Sequence, residues 1–150
     1  MSDADDAYDI DIVARTLDGE ARGEGKQGMT AVACVIVNRA VIADTYVQAH
    51  GEDHPLFGDG SLASVCQAPL QFSCWNEHDP NLAIIKAVTV ADPIFAQAMD
   101  IATLAENDEL DDITDNATHY YAKGSPMPNW AVSKTPCKII GEHLFFNNIA

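Results

Sequence analysis

Apolar residues recur at helical spacing near the start of the chain. Ile10, Val13, Ala14 and Leu17 stand at i, i+3, i+4 and i+7, the buried face of an amphipathic helix predicted from about Asp9 to Glu20. Continued by three residues, that stripe reaches Glu20 on the same apolar face. Gly25-Lys26-Gln27-Gly28 then reads as a turn. Met29 to Ile42 is nearly continuous in apolar residues and ends in Asn38-Arg39-Ala40; its Val and Ile permit a strand, but its length favours a buried helix.

The stretch from Asp44 to Asn81 gathers three Gly, three Pro and three His residues with little period. A loop this long in a compact domain is usually functional or hides short elements. Asp92-Pro93 is a helix start, a cap followed by proline at the first helical position, and Phe95, Ala98, Met99 and Ala102 carry that helix to about Glu106. Asn107 to Asn116 reads as an acidic surface turn. Its aspartates, Asp108, Asp111, Asp112 and Asp115, lack the central glycine and terminal glutamate of a calcium loop. After His119-Tyr120-Tyr121 and the Pro-rich Gly124 to Trp130, Cys137 to Phe146 alternates weakly, as an extended segment or hairpin would. The predicted class is therefore mainly α, an α+β single domain with long loops lining a cleft and a short β element. Residues 1–8 are expected to be a flexible acidic tail and 9–150 the folded domain.

At 150 residues, 47% of them hydrophobic, the chain can bury a real core. The net charge of -15 opposes nucleic acid and anionic membranes as partners, because basic patches supply the affinity there. No uninterrupted apolar run approaches the length of a membrane span. The acidic opening Met1-Ser2-Asp3-Ala4-Asp5-Asp6 is unlike an export signal, so synthesis in the cytoplasm is expected; a monomer is the expected state. The cysteines Cys34, Cys66, Cys74 and Cys137 show no C-x-x-C spacing; Cys34 reads as a buried thiol, and Cys66 and Cys74 bracket a loop short enough to bridge. His50, Glu52, Asp53 and His54 are crowded in one loop without a helical frame for zinc. No metal or cofactor is expected.

The residue with the clearest chemical promise is Glu20. A carboxylate at the end of a core-facing stripe is costly to ionise, and its raised pKa suits a general acid. Glu24 follows one turn later if the helix survives Gly23. The alternative is that Gly19 and Gly23 end the helix and both acids are solvated.

Ala14-Arg15-Thr16-Leu17-Asp18-Gly19-Glu20-Ala21-Arg22-Gly23-Glu24 resembles the start of the SleB-like cell wall hydrolase family, which includes spore cortex-lytic enzymes and phage lysins. The resemblance runs on through Gly28, Val32 and Val37-Asn38-Arg39 to Val65-Cys66-Gln67-Ala68-Pro69-Leu70-Gln71-Phe72-Ser73-Cys74-Trp75-Asn76. It resumes at Ala117-Thr118-His119-Tyr120-Tyr121, Pro128-Asn129-Trp130-Ala131 and Ile140-Gly141-Glu142-His143-Leu144-Phe145.

The resemblance implies a lysozyme-like fold that cuts the glycan strands of peptidoglycan, with Glu20 as catalytic acid. No aspartate sits at an evident place opposite Glu20, so the favoured route is that of a lytic transglycosylase, in which by resemblance substrate groups replace a second carboxylate. The hydrolytic alternative, a muramidase, would use Glu20 with Glu24. Glu24 is otherwise assigned to structure or substrate positioning. Gln71, Phe72 and Ser73 fall in the block that should line the cleft, an amide for an N-acetyl group and an aromatic for a sugar face, although Phe72 and Trp75 equally suit core packing. Tyr120 and Tyr121 should lie across the groove, one of them with its hydroxyl near Glu20, and Trp130 is a candidate sugar-stacking wall. His119 and His143 read as hydrogen-bonded structural residues. Without a separate wall-binding domain the expected context is a phage or phage-derived lysin that reaches the wall by lysis machinery or in a virion. The rivals are a cysteine peptidase or amidase pairing Cys34 or Cys74 with His119 or His143, and a non-catalytic wall-binding module.

Overall fold

The computed structural model describes residues 3–69 and 71–149. Met1, Ser2, Leu70 and Ala150 lie outside the described residues. Helix α1 (Asp3–Ala21) begins well before the predicted Asp9, which corrects the expected flexible tail over residues 3–8. The acids read as a solvated tail sit at the amino end of a helix, where the aligned peptide dipoles favour negative charge. Asp9 adds a tertiary tie. It is 4% exposed and accepts a hydrogen bond from the Ala63 backbone N–H at 3.1 Å.

The predicted stripe is largely the buried one: Val13, Ala14 and Leu17 are fully inside, and Ile10 packs against the core from its edge. α1 lies against α2 (Gly25–His50), α3 (Leu62–Gln67), α4 (Asn81–Ala87) and α5 (Pro93–Glu106). Arg15 reaches across from α1 to the end of α4, donating to Ile85 O at 2.6 Å and Val88 O at 3.0 Å, carbonyls that the helix leaves open. The start of α5 is as predicted, with Asp92 capping Ile94 N–H (2.8 Å) and Pro93 following it.

α2 is longer than the apolar run that announced it and stops at Gly51, whose φ of 73° allows its N–H to close on Val47 O at 2.8 Å. The span Ala4–His50, made of α1 and α2, contains an 18-residue window of mean hydropathy 1.4, long and apolar enough to cross a membrane. Half of the window is buried inside the fold, as befits central core helices. The irregular stretch from Asp44 to Asn81 hides α3 and a 3-10 turn at Ser73–Trp75.

Beyond α5 the chain forms a small antiparallel sheet of β1 (His119–Ala122), β2 (Lys138–Ile140) and β3 (His143–Phe146) in the order β1-β3-β2. β2 and β3 are a hairpin turning at Gly141 and Glu142, with Ile140 opposite His143. Phe145 and Ile140 pack with Ala31 and Val35, which seats the sheet on α2.

Candidate active site

Glu20 occupies the last turn of α1, one residue after Gly19. Gly19 does not end the helix; it admits a neighbour. A Cβ there would lie 2.6 Å from Cys74 Cβ and 2.9 Å from its Sγ. Gly19→Ala is expected to lose about 1–3 kcal/mol of stability by overpacking, read in a denaturant titration. The segment holding Cys74 is also pinned to α1 by Trp75, whose Nε1 donates to Thr16 Oγ1 at 2.9 Å. Trp75 thus packs against the core and fixes the position of the residues before it.

These contacts assemble a cavity of about 340 Å³ lined by Glu20, Arg39, Gln71, Ser73, Tyr120, Tyr121, Ala122, Ser125 and His143. Of the residues singled out in the sequence, Glu20, Gln71, Ser73, Tyr120 and Tyr121 are brought together here. Burial raises the Glu20 carboxyl from its ordinary 4.5 to about 7. The charge of Asp79 adds to the rise; a hydrogen bond from the Ser73 backbone and the charge of Arg39 oppose it. The folded protein therefore holds a proton that the unfolded chain releases between pH 4.5 and about 7. The stability this group contributes is fully present below that window and is lost as pH rises through it. Glu20→Gln removes this fall, so the variant should melt above the parent at pH 8 and show no such gain at pH 4, as scanning calorimetry can check.

Tyr120 lines the cavity with Glu20 and feels its charge. Burial raises its hydroxyl well above the ordinary range, and the Glu20 charge is the next cause. Tyr121 also lines the cavity, but its ring stacks on Phe146 at 5.8 Å.

Phe72 corrects the expectation of a sugar-stacking ring. It is 1% exposed, and its face lies under the Arg39 guanidinium at 5.2 Å. Trp130 stands outside the cavity lining and meets His119, Phe146 and Tyr121 edge-on at 4.9, 5.2 and 5.9 Å. Glu24 is likewise absent from the lining. α1 ends at Ala21, a 3-10 turn over Arg22–Glu24 redirects the chain, and Glu24 Oε1 accepts from Glu142 N–H at 3.1 Å.

Arg39 was not among the candidate residues of the sequence. It is 5% exposed, donates from Nε to Thr118 O at 2.7 Å and from Nη1 to Gln71 Oε1 at 3.4 Å, and is held between the rings of Phe57 and Phe72. Burial lowers its pKa to about 10, so the charge persists at neutral pH. A lone cation in the otherwise apolar Met29 to Ile42 run was the available signal, since a buried charge must be paired. His143, expected to be a hydrogen-bonded structural residue, instead has a buried Nδ1 without a hydrogen-bond partner and lines the cavity. His119, by contrast, has the bond expected of it, Nδ1 to Thr118 Oγ1 at 2.9 Å.

The cysteines stand apart from the cavity lining, and all of them are free. Burial pushes the Cys34 thiol up to about 11 and Cys66 to about 12, and raises Cys74 further. A thiol so held supplies almost no thiolate. Iodoacetamide at pH 7.5 is expected to leave wall-cleaving activity intact.

A helical body with a hairpin sheet set beside a cleft that holds one half-buried acid is the layout of a lysozyme-like domain. The chain matches the cell wall hydrolase family over residues 23–146, and it belongs to that family. The match begins just after Glu20. It is 31% identical over 142 residues to the spore cortex-lytic enzyme of Halalkalibacterium halodurans, an alignment covering 93% of this chain and 34% of that protein. It is 30% identical over 140 residues to the spore cortex-lytic enzyme of Bacillus subtilis, covering 91% and 37%. The chain thus spans little more than a third of the length of these relatives. Among solved structures, the catalytic domain of the germination-specific lytic transglycosylase SleB from Bacillus anthracis superposes with a TM-score of 0.61 at 26% identity, over 97% of this chain and 95% of that one. The catalytic domain of Bacillus cereus SleB gives 0.60 at 25%, over 93% and 89%. The mainly α, lysozyme-like class expected from the sequence is borne out.

Proposed function

We propose that this domain cleaves the glycan strands of peptidoglycan between N-acetylmuramic acid and N-acetylglucosamine as a lytic transglycosylase, with Glu20 as general acid and then base. The observation that carries the reading is that Glu20 is the only carboxylate among the residues lining the cavity, and it keeps its proton up to about pH 7. Glycosidic cleavage needs that proton on the leaving oxygen. A hydrolase that works with two carboxylates needs a second one facing the sugar carbon, whereas Glu24 is turned to the Glu142 backbone. In the transglycosylase the 6-hydroxyl of the muramoyl unit attacks its own C1. Its proton passes to the Glu20 carboxylate, and the product carries a 1,6-anhydro end.

Gln71 and Ser73 are assigned to hydrogen bonds with the sugar, and Tyr120 to the neighbourhood of the acid. Phe72 acts from beneath, by packing Arg39. Trp130 is assigned to the aromatic cluster that supports Tyr121. The names of the relatives favour spore cortex as the wall, whereas the phage-lysin setting rests on the sequence resemblance alone.

Mass spectrometry of fragments from purified peptidoglycan tests the reading. Anhydromuramoyl ends are expected. Reducing muramic ends would make the domain a muramidase, and free peptide stems would make it an amidase.

A further inference from the structure

Beside Glu20, the cavity wall includes His143, the first residue of β3 and 6% exposed. Its Nδ1 is buried with no hydrogen-bond partner, and Glu24 Oε1 lies 3.8 Å from it. That distance is too long for a hydrogen bond and short enough for strong electrostatic alignment in a site mostly closed to water. The carboxylate is held in place. It accepts from Glu142 N–H at 3.1 Å, and it is wedged where two glycines leave room. A Cβ on Gly141 would stand 2.9 Å from Glu24 Oε2, and one on Gly28 would stand 2.3 Å from Glu24 Cβ. Gly141 has a φ of 58°, so the turn that delivers the Glu142 N–H is itself suited to glycine.

Burial lowers the His143 pKa despite the opposing charge of Glu24, so the ring is neutral at physiological pH and carries one proton. A carboxylate only accepts. The proton therefore belongs on Nδ1, facing Glu24, and Nε2 is left as an acceptor on the ring that lines the cavity. Across the same cavity Gln71 has the opposite polarity. Its Oε1 accepts a hydrogen bond from Arg39 Nη1, which leaves its NH2 to donate.

We infer that Glu24 and His143 form a substrate-binding pair of the Glu20 cavity, in which Glu24 fixes the imidazole tautomer and His143 Nε2 accepts a hydrogen bond from an N–H or hydroxyl of a bound N-acetyl sugar. The inference rests on the glycan-cleaving reading. An N-acetyl sugar offers both a donor for His143 and a carbonyl for Gln71. Glu24 is then a positioning residue, and its position outside the cavity is no obstacle to a part in recognition.

Glu24→Gln supplies the test. The Gln Oε1 still serves the Glu142 N–H and still faces Nδ1, but the full negative charge is gone, so the preference for a proton on Nδ1 weakens and the Nε2–H tautomer should gain. Nitrogen NMR of the labelled protein is expected to show Nδ1–H in the parent and an increased share of Nε2–H in the variant, a change that lost packing alone would not produce. Affinity for an N-acetylglucosamine oligomer, measured by calorimetry in a Glu20→Gln background so that nothing turns over, should weaken about tenfold on adding either Glu24→Gln or His143→Phe. Adding both should weaken it no further, because the two act as one unit. An Nε2–H tautomer in the parent, or unchanged affinity in both variants, would overturn the pair while leaving the glycan reading in place. Failure of the Glu20→Gln protein itself to bind the oligomer would overturn the glycan reading of the cavity.

Discussion

Glu20→Gln is expected to fold as the parent does and to lose wall cleavage by at least about a thousandfold, the scale of a positioned general acid. The amide keeps the volume of the side chain and its contacts with Ser73 and the cavity, but it has no proton to give to the leaving oxygen. Lysis of purified walls followed by turbidity, with circular dichroism as the check on folding, reads both halves of the expectation. Glu24→Gln should lose far less, chiefly through KM, because the group it alters orients His143 and does not protonate the bond. In the parent, kcat/KM should decline above about pH 7 as Glu20 ionises. A variant at position 20 that cleared walls at the parental rate would remove the acid from the mechanism.

Phe72→Ala is expected to destabilise the fold by about 3–5 kcal/mol, the usual range for emptying a fully buried aromatic site. The ring is 1% exposed and faces the Arg39 guanidinium, so truncation leaves a void and releases the cation that holds Gln71. Thermal and urea unfolding decide between core and cleft. A sugar-stacking ring on the surface would give unchanged stability and a weaker KM, the opposite pattern. Leu17→Ala, in the adjacent core, offers a comparison of the same kind without any tie to the cavity.

The part of the fold that sequence revealed is the part governed by local period. Val13, Ala14 and Leu17 mark a buried helical face that leads to Glu20, and Asp92-Pro93 marks the start of α5. What escaped notice depended on contacts between distant segments. The acidic opening looks solvated until Asp9 is seen bonded to Ala63, and α3 and α4 are too short to announce themselves through periodicity. Phe72 and Gln71 are neighbours in sequence with opposite fates. Period and composition assign both to the cleft-lining block, and only the placement of Arg39 between two rings decides which of them turns inward. Glu24 would follow Glu20 by one helical turn only if the helix survived Gly23; the chain leaves the α-helix at Ala21, and its partner, the Glu142 backbone, is far away in sequence.

The proposed chemistry depends on a carboxyl group that burial keeps uncharged beside a sugar-sized cleft. Carbon-13 NMR titration of the labelled Glu20 side chain tests that most directly. A midpoint near pH 7 is the predicted result, shifting downward when the protein is unfolded in urea. A midpoint near the ordinary 4.5 in the folded protein would contradict it.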